Sequence, residues 1–199
     1  MKKAILFDLD GTLLPMDQDI FIKTYFGLIA KRMARLGYKP EELIHTIWKG
    51  ISAVIKNDGA LTNEDVFWKC FSEVYGDEQT KNDRTKFDDF YREDFPKVQN
   101  TCGFQPFAKE MIQYAKQQGY RVVLATNPLF PRIATEERIR WTGLMPSDFE
   151  LVTTYENSHA CKPNLLYYQE ILDTLGLEAS KCLMVGNDVG EDGVVKQLG

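Results

Sequence analysis

Two acidic residues, Asp8 and Asp10, follow directly on the first apolar run of the chain, Ala4–Phe7. In an extended backbone, residues two apart project to the same side, so we expect the two carboxylates to lie together. Neighbouring carboxylates stay ionised only where a cation or hydrogen-bond donors offset their repulsion. Mg²⁺ with a phosphate supplies this, because the metal takes oxygen ligands. Gly11 lets the chain turn closely past a ligand, although an ordinary solvated Asp-Gly turn has the same sequence.

Three later segments carry polar residues close after apolar runs. They are Thr126-Asn127, Lys162-Pro163 and the acidic stretch that contains Asp188 and Asp192. Each also has an ordinary interpretation: a turn-forming threonine, an exposed lysine before a helix-starting proline, and acids at a helix N-terminus.

The apolar runs predict the scaffold that would bring these residues together. Four short runs lack alternation and are rich in Val, Ile, Leu or Phe, which is typical of strands buried on both faces: Ala4–Phe7, Val122–Ala125, Leu151–Thr153 and Cys182–Val185. Helical patterns lie between the later runs, over Pro106–Gln118, with Phe107, Met111, Ile112 and Ala115 on one face, and over Leu165–Leu175. This alternation predicts an α/β fold with a parallel sheet, whose ligands bind at the carboxyl ends of the strands.

The stretch from about Asp17 to Gln99 differs, since it has four helical patterns and no convincing strand. Thr62 with Asp65 resembles an N-cap box that opens the third helix, which ends at Gly76. We therefore predict an all-helical insert over residues 17–99 within an α/β core made of residues 1–16 and 100–199.

The segment Asp8-Leu9-Asp10-Gly11-Thr12 resembles the first motif of the haloacid dehalogenase-like (HAD) superfamily of phosphohydrolases. The resemblance implies a Rossmann-like parallel sheet with an inserted helical cap of type 1. It implies that Asp8 is the nucleophile and forms an aspartyl-phosphate, and that Asp10 is the general acid and base. It also implies that the Asp8 carboxylate and the Asp10 main-chain carbonyl hold Mg²⁺.

The later segments resemble the remaining motifs of this family. By that resemblance Thr126 and Lys162 hold phosphoryl oxygens, Asn127, Gly11 and Thr12 contribute to substrate binding, and Lys162 balances the negative charge. Asp188 would complete the metal shell, with Asp192 supporting it from outside the direct ligands of the metal or through water. Many members have Gly-Asp where this chain has Gly186-Asn187-Asp188, so the register is open by one residue and Asn187 is an alternative contact to the phosphate or to a metal-bound water.

Taken together, these features predict a Mg²⁺-dependent phosphomonoesterase that acts on a small phosphorylated metabolite. A phosphotransferase or mutase on the same core, and a catalytically silent phosphate-binding regulatory module, are the alternatives. A dehalogenase fits less well, because relatives of that kind lack the second acid at the position of Asp10.

Composition narrows the function classes further. The net charge of −5 argues against a general nucleic-acid binder, and no apolar run approaches the length that spans a bilayer. Four cysteines without Cys-x-x-Cys spacing argue against zinc and disulfide frameworks and predict a cytoplasmic protein. Family cores usually have a strand after the fourth motif, whereas this sequence stops at Gly199. We expect either that a further segment follows or, if the chain ends there, that one sheet edge is bare. The oligomeric state is not predicted.

Overall fold

The computed structural model describes residues 3–199, and Met1 and Lys2 lie outside the described part. Within those residues one sheet contains four parallel strands: β1 (Ala4–Phe7), β2 (Arg121–Leu124), β3 (Leu151–Val152) and β4 (Cys182–Val185). The strand order is β3-β2-β1-β4. The predicted α/β class and parallel sheet are thereby confirmed, although β2 and β3 each end one residue before the predicted runs.

The register of the sheet brings the ends of three strands together. Phe7 lies opposite Leu124 on one side and Val185 on the other. The Asp8 amide donates to the Val185 carbonyl at 2.8 Å, which holds Asp8 against the end of β4. The polar segments that follow β1, β2 and β4 therefore leave the sheet at one edge, where ligands of open parallel sheets bind.

The region between β1 and β2 begins with four α-helices and a 3-10 turn. These are α1 (Gln18–Ala34), α2 (Pro40–Ile55), α3 (Asn63–Tyr75), α4 (Asp77–Glu93) and the turn Phe95–Thr101. As predicted, Thr62 caps α3 by accepting a hydrogen bond from the Asp65 amide, and Gly76, with φ at +81°, follows the last residue of the helix. Met16 and Cys102 form an isolated antiparallel bridge at the base of this helical segment.

The helical segment and the sheet share one hydrophobic core. Phe7 and Leu124 of the sheet belong to the same buried cluster as Phe21, Phe71 and Phe95 of the helical segment. Aromatic rings make many of the contacts in this cluster, with edge-to-face geometry between Phe21 and Phe95 at 6.3 Å and between Phe71 and Phe87 at 5.4 Å. Burial of this apolar surface fixes the helical segment against the carboxyl edge of the sheet.

Three further helices complete the α/β part: α5 (Ala108–Gln117), α6 (Arg132–Trp141) and α7 (Leu165–Leu175). The face predicted for α5 is partly wrong, because Phe107 and Met111 are exposed by 61% and 42% while Ile112 and Ala115 are buried. Phe107 precedes the first helical residue, so the helical period does not place it on the buried face.

Strand β4 lies at one edge of the sheet and, within the described residues, pairs with β1 alone. Among residues 3–199, no helix combines the length and the apolar character that crossing a membrane requires.

A buried acid, Asp83, joins α4 to the turn after α1. Its carboxylate accepts hydrogen bonds of 2.5 Å from the Tyr38 hydroxyl and from the Lys86 ammonium. Burial opposes ionisation of this carboxyl, yet the bonds from Lys86 and Tyr38 hold its pKa below the ordinary value.

We expect Asp83→Asn to lower the free energy of unfolding by about 1–2 kcal/mol near neutral pH, since it loses bonds to a charged acceptor. A lowered folded-state pKa stabilises the fold above the ordinary carboxyl pKa of 3.8, and this contribution disappears as the pH falls through the lower folded value. The difference from the unmodified chain should therefore shrink in acid, as urea unfolding at several pH values would measure. Asp89→Asn, on the exposed side of the same helix, is the matched control; equal losses in both variants would contradict the assignment.

Candidate active site

A single buried ammonium group, that of Lys162, lies between two buried carboxylates. Lys162 Nζ donates to Asp8 Oδ1 at 2.8 Å and to Asp192 Oδ1 at 2.6 Å. Its side chain is fully buried, and those of Asp8 and Asp192 are exposed by only 9% and 8%. In such a low-dielectric site neither acid could keep its charge without a cation, so the three groups depend on one another.

Local backbone geometry sets the positions of both acids. Asp8 follows β1 directly, and Asp192 lies on the turns after β4. The Asp192 carboxylate lies over the backbone of Gly186, where an added Cβ would overlap its carboxyl atoms. The Tyr168 hydroxyl also contacts Asp192 Oδ1, at 3.5 Å. Glycine at position 186 is thus required for the close approach of this acid.

The loop after β1 is joined to the loop after β4 by side-chain contacts. The Thr12 hydroxyl lies 3.1 Å from Asp8 Oδ2 and 3.2 Å from Asn187 Oδ1. Gly11 has φ at +82°, and a Cβ there would overlap the Asn187 amide. Asn187 is therefore the residue that meets Gly11 and Thr12, although it was only an alternative in the sequence.

The second acid of the first motif has its own buried cation. Asp10 Oδ2 accepts a hydrogen bond from Arg138 of α6, whose side chain is 1% exposed. Arg138 also donates to the Thr135 hydroxyl at 3.2 Å and stacks on the Phe130 ring at 4.5 Å. Asp10 Oδ1 is buried and accepts no hydrogen bond from the described residues. One oxygen of Asp10 is thus fixed while the other remains available.

All the acids predicted for the site border one cleft of about 230 Å³. Its lining includes Asp8, Asp10, Thr126, Asn127, Asn187, Asp188, Glu191 and Asp192. Asn127 Nδ2 donates to Glu191 Oε1 at 3.1 Å, and burial raises the pKa of Glu191 above its ordinary value. The cleft gathers carboxylates from two strand ends, and such a surface favours a cation.

Asp188 and Asp192 differ sharply in their surroundings. Asp188 is exposed, and its Oδ1 accepts from the amides of Gly190 and Glu191 at 2.7 and 3.0 Å. Asp192 is buried against Lys162. The structure thus brings Asp192, expected only to support Asp188, into direct contact with the ion pair, and leaves Asp188 at the rim of the cleft.

The donor set fits a hard divalent cation in its chemistry. Carboxylate and carbonyl oxygens are the ligands that Mg²⁺ prefers, usually few in number and completed by water and phosphate. Asp10 Oδ1 is a buried oxygen without a partner among the described residues. In residues 3–199 no group of three or more acidic, histidine or cysteine side chains is arranged to hold a metal ion, so any bound Mg²⁺ would take the rest of its ligands from the main chain, water or phosphate.

The carboxyl group of Asp8 carries a perturbed pKa. Burial raises it above the ordinary value, Lys162 opposes this, and the carboxylates of Asp10 and Asp192 act in the same direction as burial. The Asp8 carboxylate is therefore largely removed from water, is paired with Lys162, and lines the cleft. Such a group is suited to nucleophilic attack.

Sequence reasoning missed Arg138 and Glu191. Arg138 belongs to a helix without a predicted pattern, and a single arginine in a helix is usually exposed. Glu191 stands inside the fourth acidic segment, between the two acids that were selected. Its only signal was proximity in the sequence.

The matches to known proteins agree with this geometry. The haloacid dehalogenase-like hydrolase family model matches residues 2–192.

The chain belongs to the haloacid dehalogenase-like hydrolases.

Solved structures with a similar fold include enzymes of more than one activity. A HAD phosphatase from Thermococcus onnurineus is 20% identical with a TM-score of 0.60, over 100% of this chain and 83% of that one. A 2-haloacid dehalogenase from Pseudomonas syringae pv. tomato DC3000 is 19% identical with a TM-score of 0.61, over 100% of this chain and 84% of that one. A HAD family enzyme from Bacteroides thetaiotaomicron, in complex with magnesium and inorganic phosphate, is 14% identical with a TM-score of 0.57, over 100% of this chain and 91% of that one. No curated protein matched the chain.

Because a Cβ on residue 186 would overlap the buried Asp192 carboxyl, Gly186→Ala should displace that acid from Lys162. We expect the free energy of unfolding to fall by roughly 1–3 kcal/mol, since a buried charged pair loses its geometry. Gly27→Ala in α1, where a Cβ meets no neighbour, is the control and should leave stability unchanged or slightly higher. Thermal denaturation of both variants measures the difference; a Gly186→Ala protein as stable as the control would disprove the close approach.

Proposed function

We propose that this HAD-family hydrolase is a Mg²⁺-dependent phosphomonoesterase that acts on a small phosphorylated metabolite through an aspartyl-phosphate. The observation that carries the proposal is the Lys162 ammonium held between Asp8 and Asp192, two acids that line one cleft together with Asp10. A desolvated carboxylate next to a fixed cation is what nucleophilic attack on a phosphate requires.

In the first step Asp8 attacks the phosphorus in line with the leaving oxygen. A bond forms between Asp8 and phosphorus, the bond from phosphorus to the alcohol oxygen breaks, and Asp10 gives its proton to that oxygen. Lys162 and Thr126 hold the other phosphoryl oxygens, and Gly11, Thr12 and Asn127 contribute to substrate binding.

In the second step a water attacks the aspartyl-phosphate. Asp10 takes the proton from this water, the new bond to phosphorus forms, and the bond to Asp8 breaks to release inorganic phosphate. Arg138 fixes one oxygen of Asp10 and leaves Oδ1 for both proton transfers. Arg138 is thus a positioning residue for the acid and base.

Asp8 and the main-chain carbonyl of Asp10 would hold Mg²⁺, with Asp188 or Asp192 completing the protein's share. When bound, the ion neutralises phosphate charge and offsets the repulsion among the acids of the cleft. This support comes from the oxygen donors of the cleft and from the relative solved with magnesium and inorganic phosphate.

The helical segment of residues 17–99 would act as the cap of this enzyme. Gln18, Phe21 and Ile22 of α1 border the cleft that contains Asp8 and Asp10. A helix in that position limits water access and contacts the organic part of the substrate. The four free cysteines agree with a cytoplasmic enzyme.

Two other reactions use similar folds. A phosphotransferase or mutase would pass the phosphoryl group to an acceptor other than water, and a dehalogenase would attack carbon. Dehalogenation has no use for the general acid and base that Asp10 supplies, and the Asp10–Arg138 pair therefore favours phosphoryl chemistry.

Replacement of Asp8 by asparagine removes the nucleophile and retains its size. We expect hydrolysis of p-nitrophenyl phosphate with Mg²⁺ to fall by at least about 10³-fold, and removal of Mg²⁺ by EDTA to abolish the activity of the unmodified enzyme reversibly. Release of p-nitrophenol measures both. Asp58→Asn, an exposed loop residue of the helical segment, is the control. Retained activity in Asp8→Asn would overturn the mechanism.

Asp10→Asn should separate the two steps, because p-nitrophenolate leaves without a proton whereas the water of the second step needs a base. We expect the variant to accumulate a protein heavier by one phosphoryl group, which mass spectrometry after an acid quench detects. The double variant Asp8→Asn with Asp10→Asn should gain no such mass. A phosphorylated double variant would place the nucleophile elsewhere.

A further inference from the structure

A second cavity adjoins the active-site cleft and has very different walls. It occupies about 120 Å³, between the helices α1–α4 and the loops that follow β2 and β3. We call it the aromatic pocket; its walls include Phe26, Trp48, Ile51, Phe67 and Phe130. Among the described residues, none that lines it carries a charge.

The aromatic pocket and the active-site cleft share part of their walls. Ile22 of α1 and Leu129 and Phe130 of the loop after β2 border both cavities. Asp8 and Asp10 line the cleft on one side of these residues, whereas the other side is bordered by apolar rings. The aromatic pocket therefore adjoins the cleft along these three residues.

Four polar side chains of the pocket walls are already paired with one another. The hydroxyls of Tyr25 and Tyr91 lie 2.9 Å apart, and Trp68 Nε1 donates to the Tyr155 hydroxyl at 3.2 Å. Burial raises the pKa of Tyr25 to about 12, so this hydroxyl stays neutral. A polyol or a carboxylate in the pocket would lose its hydration and find few partners, which costs free energy.

The size of the pocket limits its occupant. A protein cavity of about 150 Å³ lined by aliphatic and aromatic side chains accepts benzene. The aromatic pocket is of that order, and Trp48, which is 43% exposed, forms part of its wall. It therefore suits one aromatic ring or a short alkyl chain.

We propose that the aromatic pocket receives the organic group of the substrate, and that the substrate is a phosphate monoester of an apolar alcohol, aromatic or short-chain, rather than a sugar or polyol phosphate. This inference rests on the proposed phosphomonoesterase function. Its physical basis is the junction at Ile22, Leu129 and Phe130 of an acidic cleft and an uncharged aromatic cavity.

The test compares phosphate esters of primary alcohols of similar acidity, so that the leaving group contributes little to the difference. Benzyl and n-butyl phosphate are measured against methyl phosphate and glycerol 3-phosphate, with Mg²⁺ present. We expect kcat/KM for the two apolar esters to exceed that for the other two by about tenfold or more, which is the discrimination an apolar pocket provides. Glycerol 3-phosphate hydrolysed as well as benzyl phosphate would overturn the inference.

A pair of variants on one helix locates the effect. Ile51→Trp fills the aromatic pocket and should reduce the ratio of kcat/KM for benzyl over methyl phosphate at least about fivefold. Ile55 lies one turn further along α2, is 48% exposed and does not line the pocket. Ile55→Trp should leave the ratio unchanged, and an equal change in both variants would contradict the assignment.

Binding of benzyl alcohol gives a readout that needs no catalysis. Saturation-transfer NMR should detect binding to the unmodified protein and to Ile55→Trp, with loss in Ile51→Trp; no binding to the unmodified protein would refute the pocket assignment. If methyl phosphate is hydrolysed in an Asp8-dependent manner without apolar preference, the proposed function stands and this inference fails. If no ester is hydrolysed while benzyl alcohol still binds at Ile51, the phosphomonoesterase proposal fails and the apolar pocket stands.

Discussion

The buried ammonium of Lys162 is the interaction on which the rest of the site depends. It reaches Asp8 at the end of β1 and Asp192 in the turns after β4, and so joins three separate parts of the chain at one point. Without the lysine, two desolvated carboxylates that share one contact point would repel each other, and they would take up protons or move apart. Because β1 lies beside β4 in the parallel sheet, the segments that carry Asp8 and Asp192 leave the sheet next to each other. The Lys162 ammonium allows both carboxylates to remain charged there.

A second cation, Arg138, divides the two acids of the first motif between different partners. Lys162 contacts Asp8, whereas Arg138, which belongs to α6, contacts Asp10. Because each acid has its own cation, their surroundings can differ: Asp8 is desolvated, and Asp10 keeps one oxygen without a partner among the described residues. Two neighbouring carboxylates with unlike environments are suited to unlike roles, one as nucleophile and one as proton carrier.

Sequence patterns predicted the parts of this structure that are set locally. Apolar runs predicted the four strands, and turn chemistry predicted the N-cap of α3 at Thr62. The order of the motifs selected Asp8, Asp10 and Lys162. The contact of Asp192 with Lys162 could not be predicted in this way. The fold of the turn after β4 decides whether Asp188 or Asp192 is buried, and the open space over Gly186 accommodates Asp192. Arg138 was beyond reach, since its partner lies 128 residues away and no local pattern marks a buried arginine.

Phe130 shows how the chemistry and the apolar cavity are physically connected. Its ring supports the Arg138 guanidinium at 4.5 Å and meets the rings of Phe21 and Tyr25 edge to face, at 6.2 and 5.4 Å. The same ring therefore borders the pocket, contacts α1 and helps to hold the cation that fixes Asp10. Because Phe130 also borders the acidic cleft, an occupant of either cavity can contact the ring that supports Arg138. In the proposed reaction, an organic group in contact with Phe130 would direct part of its binding energy to the surroundings of Asp10 rather than to affinity alone.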